Sequence, residues 1–127
     1  KAGIATLTLV QAAELGRYGV NAHAIAPIAR TRMTEAVFAD AMKKPDEGFD
    51  ANDPSNVSPF VTWLGSSQSK GVTGRVWEVT GGRITVMDGY REEKTVDVGR
   101  RWNPAEIGAH VEKLIAEARP SVKVYGT

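Results

Sequence analysis

A chain of 127 residues is long enough for one domain with a real core, and 42% hydrophobic against 24% charged residues is ordinary for a globular protein. The 16 Lys and Arg against 15 Asp and Glu leave a formal net charge of +1, which gives no electrostatic case for a nucleic-acid or membrane partner. The absence of cysteine excludes disulfides, cysteine nucleophiles and thiolate metal sites and fits a reducing, cytoplasmic setting, while His23 and His110 are too far apart in sequence to suggest a metal site.

The first 17 residues, KAGIATLTLVQAAELGR, read as a helix. Ile4, Leu7, Val10 and Glu14 fall on one face and Leu9, Ala12 and Ala13 on another, so this helix is expected to be covered on two sides. Gly16 and Gly19 give it a stop signal. VNAHAIAPI then reads as a short buried strand, ended at Pro27 because proline cannot donate to a sheet ladder. From Thr34, the positions Val37, Phe38, Ala41 and Met42 predict a second helix ending near Lys43 to Pro45. The segment KKPDEGFDANDPSN is a polar loop, and Asp53-Pro54 is a helix-start pair. Val57, Phe60, Val61 and Leu64 carry the stripe of the next helix, with Pro59 making its first turn irregular. GSSQSKGVTG is a turn-rich link into the strand RVWEV.

After Gly81-Gly82 the pattern changes: RITVM and KTVDV read as short edge strands. Asn103, Pro104 and Glu106 form an N-cap, first-turn and capping-box set for a helix whose buried stripe is Ile107, Val111, Leu114, Ile115 and Ala118. SVKVYGT closes the tail. No apolar run approaches the ~20 residues that span a bilayer, and no signal peptide is visible.

Helices alternating with short buried strands argue for a parallel α/β sheet. Two parallel strands alone would leave most of their faces and edges bare. The expected fold is therefore α/β, the carboxyl-terminal half of a doubly wound parallel-sheet (Rossmann) domain with an appended tail containing a helix. Residues 1–82 would belong to the dinucleotide-binding domain and 83–127 to the tail. A start inside a helix, without Met, fits a piece of a longer protein.

Residues 1 to about 80 resemble the carboxyl-terminal half of a short-chain dehydrogenase/reductase. The matching pieces are KAGIATLTLVQAAELGRYGVNAHAIAP, the threonine-led polar segment after it, and DPSNVSPFVTWLGSSQSKGVTGRVWEVTGG. The resemblance makes Lys1 the lysine of a Tyr-x-x-x-Lys motif, with the tyrosine, the catalytic serine and the Gly-rich phosphate loop all upstream. Lys1 would then lower the tyrosine pKa by its charge and hold the ribose hydroxyls. Pro27 and Ile28 would line the nicotinamide of NAD or NADP, with Ile28 standing where many members have Gly. Thr31 would sit beside the carboxamide or pyrophosphate, or act as a plain N-cap. Met33, Val37 and Phe38 resemble the family's mobile substrate lid, with core packing as the alternative. Asn21 and His23 satisfy local groups. Arg30 and Arg32 lie either on a solvated turn or against phosphates.

The tail and APIARTRMT are similar to the (3R)-hydroxyacyl-CoA dehydrogenase and 3-oxoacyl reductase subgroup, which implies a 3-hydroxyacyl or 3-ketoacyl thioester substrate, possible walling of an acyl channel by the tail, and a homotetramer. The intact parent would be an NAD(P)-dependent oxidoreductase, and the bare chain inactive. The competing expectation is a non-catalytic piece or pseudoenzyme serving as an oligomerisation or interaction module.

Overall fold

Val79 is 1% exposed and lies on the middle strand of a three-stranded sheet. The computed structural model describes residues 1–87 and 93–120 and divides the chain into two compact units, Lys1–Gly89 and Tyr90–Thr127. SVKVYGT lies outside the described residues.

In the first unit, α1 (Ala2–Leu15) runs into a 3₁₀ turn at Gly16–Tyr18, and Gly19 leaves it in the left-handed region with φ 74°. Strand β1 (His23–Pro27) pairs in parallel with β2 (Arg75–Thr80), from His23 opposite Arg75 to Pro27 opposite Val79. The first ties of this pair are Ala22 N to Thr73 Oγ1 and Gly74 N to Ala22 O, both 2.9 Å. Strand β3 (Arg83–Met87) folds back antiparallel along β2, so RITVM is an edge strand as its composition predicts and the sheet is mixed. Gly81 has φ 52° and Gly82 has no positive φ, the pattern of a two-residue II′ hairpin loop.

Small residues set how α1 meets the sheet. Thr8 and Ala12 are its buried positions, and a Cβ on Gly74 would come within 3.1 Å of the Ala12 Cβ. The Thr8 hydroxyl donates to Ile4 O at 3.0 Å, so its burial leaves no orphan donor. The other apolar face, Ile4, Leu7, Val10 and Leu15, is exposed.

The proline pair splits the third helical region into two steps, as its sequence predicts. Asp53 caps a 3₁₀ turn at Pro54–Asn56 by accepting from Ser55 N at 2.8 Å, and α3 (Ser58–Leu64) follows with Pro59 in its first turn. Phe60 of α3 is buried between two tryptophans, stacked on Trp63 at 6.0 Å and edge-on to Trp77 of β2 at 5.2 Å.

The second helix departs from expectation. Helix α2 is only Arg32–Val37, starting earlier and ending well before Lys43. Its hydrophobic period continues through Ala41 and Met42, but the Ala41 carbonyl accepts from the Asn52 amide at 3.0 Å and the Met42 carbonyl from Arg30 at 3.2 Å. Phe38 leaves the helical region, with φ −127° and ψ 45°, and that ends the helix.

In the second unit, α4 (Pro104–Glu117) has the predicted punctuation. Asn103 Oδ1 accepts from Ala105 N at 3.1 Å, Glu106 Oε1 accepts from Asn103 N at 3.1 Å, and Pro104 takes the first position. Two expectations fail here. KTVDV forms no strand, because the described residues of this unit hold no partner strand, and Val96 instead lines an apolar groove along α4. The α4 stripe is also not buried: Ile107, Val111 and Ile115 are exposed, with Leu114 and Ala118 half-buried. Periodicity identifies the apolar face without supplying a cover for it. The groove, about 260 Å³, is lined by Val96, Trp102, Ile107, His110, Val111 and Leu114. His110 meets the Trp102 ring edge-on at 4.9 Å.

Candidate functional site

Because β1 and β2 run parallel, their carboxyl ends open on one edge, the side on which open α/β sheets bind ligands. Pro27 is the last residue of β1 and is exposed. Ile28 is 38% exposed, and its N–H donates to Val79 O at 2.9 Å. That donor belongs to the sheet, so only the Ile28 carbonyl, which accepts from no described residue, is left for a ligand.

Thr31 is the N-cap of α2, in extended conformation. Its Oγ1 accepts from Thr34 N at 3.2 Å, and its N–H donates to Thr34 Oγ1 at 2.7 Å. The Thr34 hydroxyl can in turn donate to Ala29 O at 3.0 Å, which fastens the helix start to the strand end. The capping role considered for Thr31 is thus present. Its own hydroxyl proton is still available, either to Thr34 Oγ1 at 3.1 Å or to a ligand.

Met33, Val37 and Phe38 are 82%, 70% and 57% exposed, so core packing is not their role in this chain. Met42, from the same predicted stripe, is buried. The strand-to-helix link therefore gathers Pro27, Ile28 and Thr31 and leads into the three exposed apolar residues. Lys1 stands apart at the N-cap position of α1, exposed, making no side-chain capping bond and no hydrogen bond to the strand end among the described residues.

The two arginines have different fates. Arg30 is committed internally: both guanidinium NH groups reach the Asp50 carboxylate, and Nη1 also donates to Met42 O. The hydrogen bond from Arg30 holds the Asp50 carboxyl below the ordinary carboxylate range, and Asp50 raises Arg30 in return. Arg30 therefore lies neither on a solvated turn nor turned outward to a phosphate: its guanidinium faces Asp50 and Met42 and is 14% exposed. Arg32 remains exposed. Asp53 is also held low, first by its bonds from Ser55. The Asp50 partnership was missed from sequence. The run DANDPSN signals short side chains that bond the backbone, but nothing local selects Arg30, 20 residues earlier, as the partner.

Among the described residues no group of three His, Asp or Glu side chains could hold a metal ion. A nicotinamide makes different demands: an apolar floor, an acceptor for its amide and hydroxyls near its phosphates. Pro27, the Ile28 carbonyl and Thr31 meet them in kind.

No family model matches the chain. It is 37% identical over 121 residues to the hydroxyacyl-CoA dehydrogenase ChsB1 of Mycobacterium tuberculosis, covering 94% of this chain and 38% of that protein. It is 37% identical over 86 residues to a (3R)-3-hydroxyacyl-CoA dehydrogenase of Homo sapiens, covering 65% of this chain and 33% of the relative. Among solved structures it matches a short chain dehydrogenase from Mycobacterium avium with a TM-score of 0.76 and 53% identity, over 99% of this chain and 40% of that one. The chain thus spans 33–40% of the length of these proteins. A shared α/β fold at this identity, together with the agreement of several dehydrogenase relatives, shows that the chain belongs to the short-chain dehydrogenase/reductase family.

Proposed function

We propose that the whole protein is an oxidoreductase that moves a hydride between NAD or NADP and the hydroxyl or keto carbon of a 3-hydroxyacyl or 3-ketoacyl thioester, carried on coenzyme A. The observation that carries this reading is the link after β1: Pro27, the Ile28 carbonyl and Thr31 open at the sheet's carboxyl edge and lead into the exposed Met33, Val37 and Phe38. The names of the relatives supply the substrate class, since two of them are hydroxyacyl-CoA dehydrogenases.

In this reading a nicotinamide held by these residues would supply the hydride chemistry. Pro27 forms an apolar floor, the Ile28 carbonyl takes an amide proton, and the Thr31 hydroxyl donates to an anionic or amide oxygen. Lys1 lowers the pKa of a tyrosine upstream of this chain, which takes the hydroxyl proton as the carbon–hydrogen bond breaks, and it hydrogen-bonds ribose. Met33, Val37 and Phe38 cover the acyl chain, and Arg32 meets phosphate. The exposed face of α1, Ile4, Leu7, Val10 and Leu15, supports a homo-oligomer, a tetramer in our reading, working in the cytoplasm. That same face is what favours the second reading, a non-catalytic oligomerisation module. A tyrosine four positions before Lys1 separates the two, because the module does not need it.

A substrate panel tests the proposal. With NAD and NADP in turn, (3R)-hydroxyacyl-CoA should be oxidised in preference to free hydroxy acids, steroids and sugar alcohols. Equal rates across the panel would remove the thioester assignment. If deleting residues 100–127 leaves the ranking unchanged, the tail takes no part in choosing the acyl group.

A further inference from the structure

Helix α2 carries Met33 and Val37 and is followed by Phe38, its C-cap, but has no buried residue of its own. A six-residue helix without a packed face takes its position from its two ends. The front end is fastened by Thr31, Thr34 and Ala29 as described. The back end is fastened by Arg30. Its guanidinium donates to Met42 O at 3.2 Å and grips the Asp50 carboxylate with both NH groups, and its N–H donates to Asn52 O at 2.7 Å.

Asp50 is itself fixed. Its Oδ1 accepts from Asn52 N at 3.1 Å, and its carbonyl accepts from the Asn56 amide at 2.8 Å and from Asp53 N at 3.2 Å. Asn52 reaches back to Ala41 O at 3.0 Å, and Met42 N donates to Phe38 O at 3.0 Å. Hydrogen bonds therefore run from Arg30 through Met42 to Phe38 and from Arg30 through Asp50 to Asn52, which is tied in turn to Ala41 beside Met42. The Arg30 and Asp50 side chains are only 14% and 12% exposed. A largely buried ion pair is an expensive way to gain stability, but a two-pronged guanidinium–carboxylate contact fixes distance and angle in a way apolar contacts do not.

We infer that the Arg30–Asp50 pair is a positioning latch that fixes the far end of α2, so that Met33, Val37 and Phe38 stand at a set place beside the β1 end and select the acyl chain. The substrate half of this inference rests on the proposed function; the latch itself does not. Arg30 and Asp50 are positioning residues: they act through α2 and the segment 38–53 and touch no reacting atom.

The test uses the whole protein with Arg30→Lys, which keeps the charge but loses the fork, and Asp50→Asn, which keeps the shape but loses the charge. Backbone hydrogen exchange over residues 38–53 should rise about tenfold or more in both variants, with exchange in β1 and β2 unchanged. The KM for a long-chain 3-hydroxyacyl-CoA should rise about tenfold while kcat and the cofactor KM move less than about twofold, the signature of lost ground-state binding. The charge-swapped double variant Arg30→Asp/Asp50→Arg should recover part of the protection over 38–53. Unchanged exchange there in Asp50→Asn, the milder variant, overturns the latch whatever the activity. Loosened exchange with a fall in kcat at unchanged KM overturns acyl selection. A wild-type protein inactive on thioesters overturns the substrate half and the proposed function together, while the exchange measurement still decides the latch.

Discussion

Trp77 on β2 donates its indole N–H to His23 Nδ1 on β1 at 3.3 Å, so the two parallel strands are joined through side chains as well as backbone. Accepting at Nδ1 places the proton of neutral His23 on Nε2, a buried nitrogen without a partner among the described residues. The same indole takes the edge of Phe60. Trp77→Phe keeps the ring contact and loses the donor, and should cost about 1 kcal/mol. Trp77→Ala also removes the cover over Phe60 and should cost about 2 kcal/mol or more. Denaturant midpoints of the two variants check both values; equal midpoints would mean that the ring contact with Phe60 contributes nothing.

The hairpin between β2 and β3 separates two adjacent glycines. A Cβ on Gly81 would meet Ala51 at 3.1 to 3.3 Å and would sit at φ 52°, whereas a Cβ on Gly82 meets nothing within 4 Å. Gly81→Ala should destabilise by about 1–3 kcal/mol, and Gly82→Ala should be close to neutral. Thermal melts of the pair are the check. Because Ala51 adjoins both Asp50 and Asn52, Gly81→Ala should also loosen the Arg30 latch.

Much of this fold is local and therefore legible. Asn103, Pro104 and Glu106 mark the start of α4, and Asp53, Pro54 and Pro59 mark the two-step entry to α3, because a cap is written in three or four neighbouring residues. What escaped is nonlocal. The extent of α2 is decided at Phe38, whose backbone leaves the helical region although the apolar period runs on to Ala41 and Met42. KTVDV has the composition of a strand but no partner strand among the described residues. At the site, Pro27 marks the strand end, but the sequence cannot show that the Ile28 N–H is spent on Val79.

Acid should loosen the first unit. The Asp50 and Asp53 carboxyls are held below their ordinary range, Asp50 chiefly by Arg30 and Asp53 by Ser55. A carboxyl whose folded pKa is depressed contributes stability that is fully present above its unfolded pKa of ~3.9 and is lost as pH falls through the folded value. Stability should therefore be flat from about pH 7 to pH 5 on account of these groups and decline below about pH 4. Asp50→Asn should flatten that decline. The reading is the denaturant midpoint from pH 7 to pH 2.5, and an unchanged slope in the variant would count against the assignment.

Thr31 has two duties in this account, and substitution separates them. Thr31→Ala loses the cap of α2 and should cost about 1 kcal/mol, together with weaker cofactor binding in the whole protein. Thr31→Ser keeps the hydroxyl and should retain both. Cofactor titration by fluorescence alongside a thermal melt distinguishes the roles; if Thr31→Ala binds NAD or NADP as tightly as wild type, Thr31 is a cap alone.

The central claim is hydride transfer supported by Lys1, and the initial rate of nicotinamide reduction in the whole protein, with (3R)-hydroxyacyl-CoA as substrate, tests it most directly. Wild type should reduce NAD or NADP in a thioester-dependent manner, and Lys1→Ala should lower kcat/KM by about two orders of magnitude or more with the fold intact by circular dichroism. No reduction of either nicotinamide by wild type, or near-normal turnover in Lys1→Ala, would contradict the account.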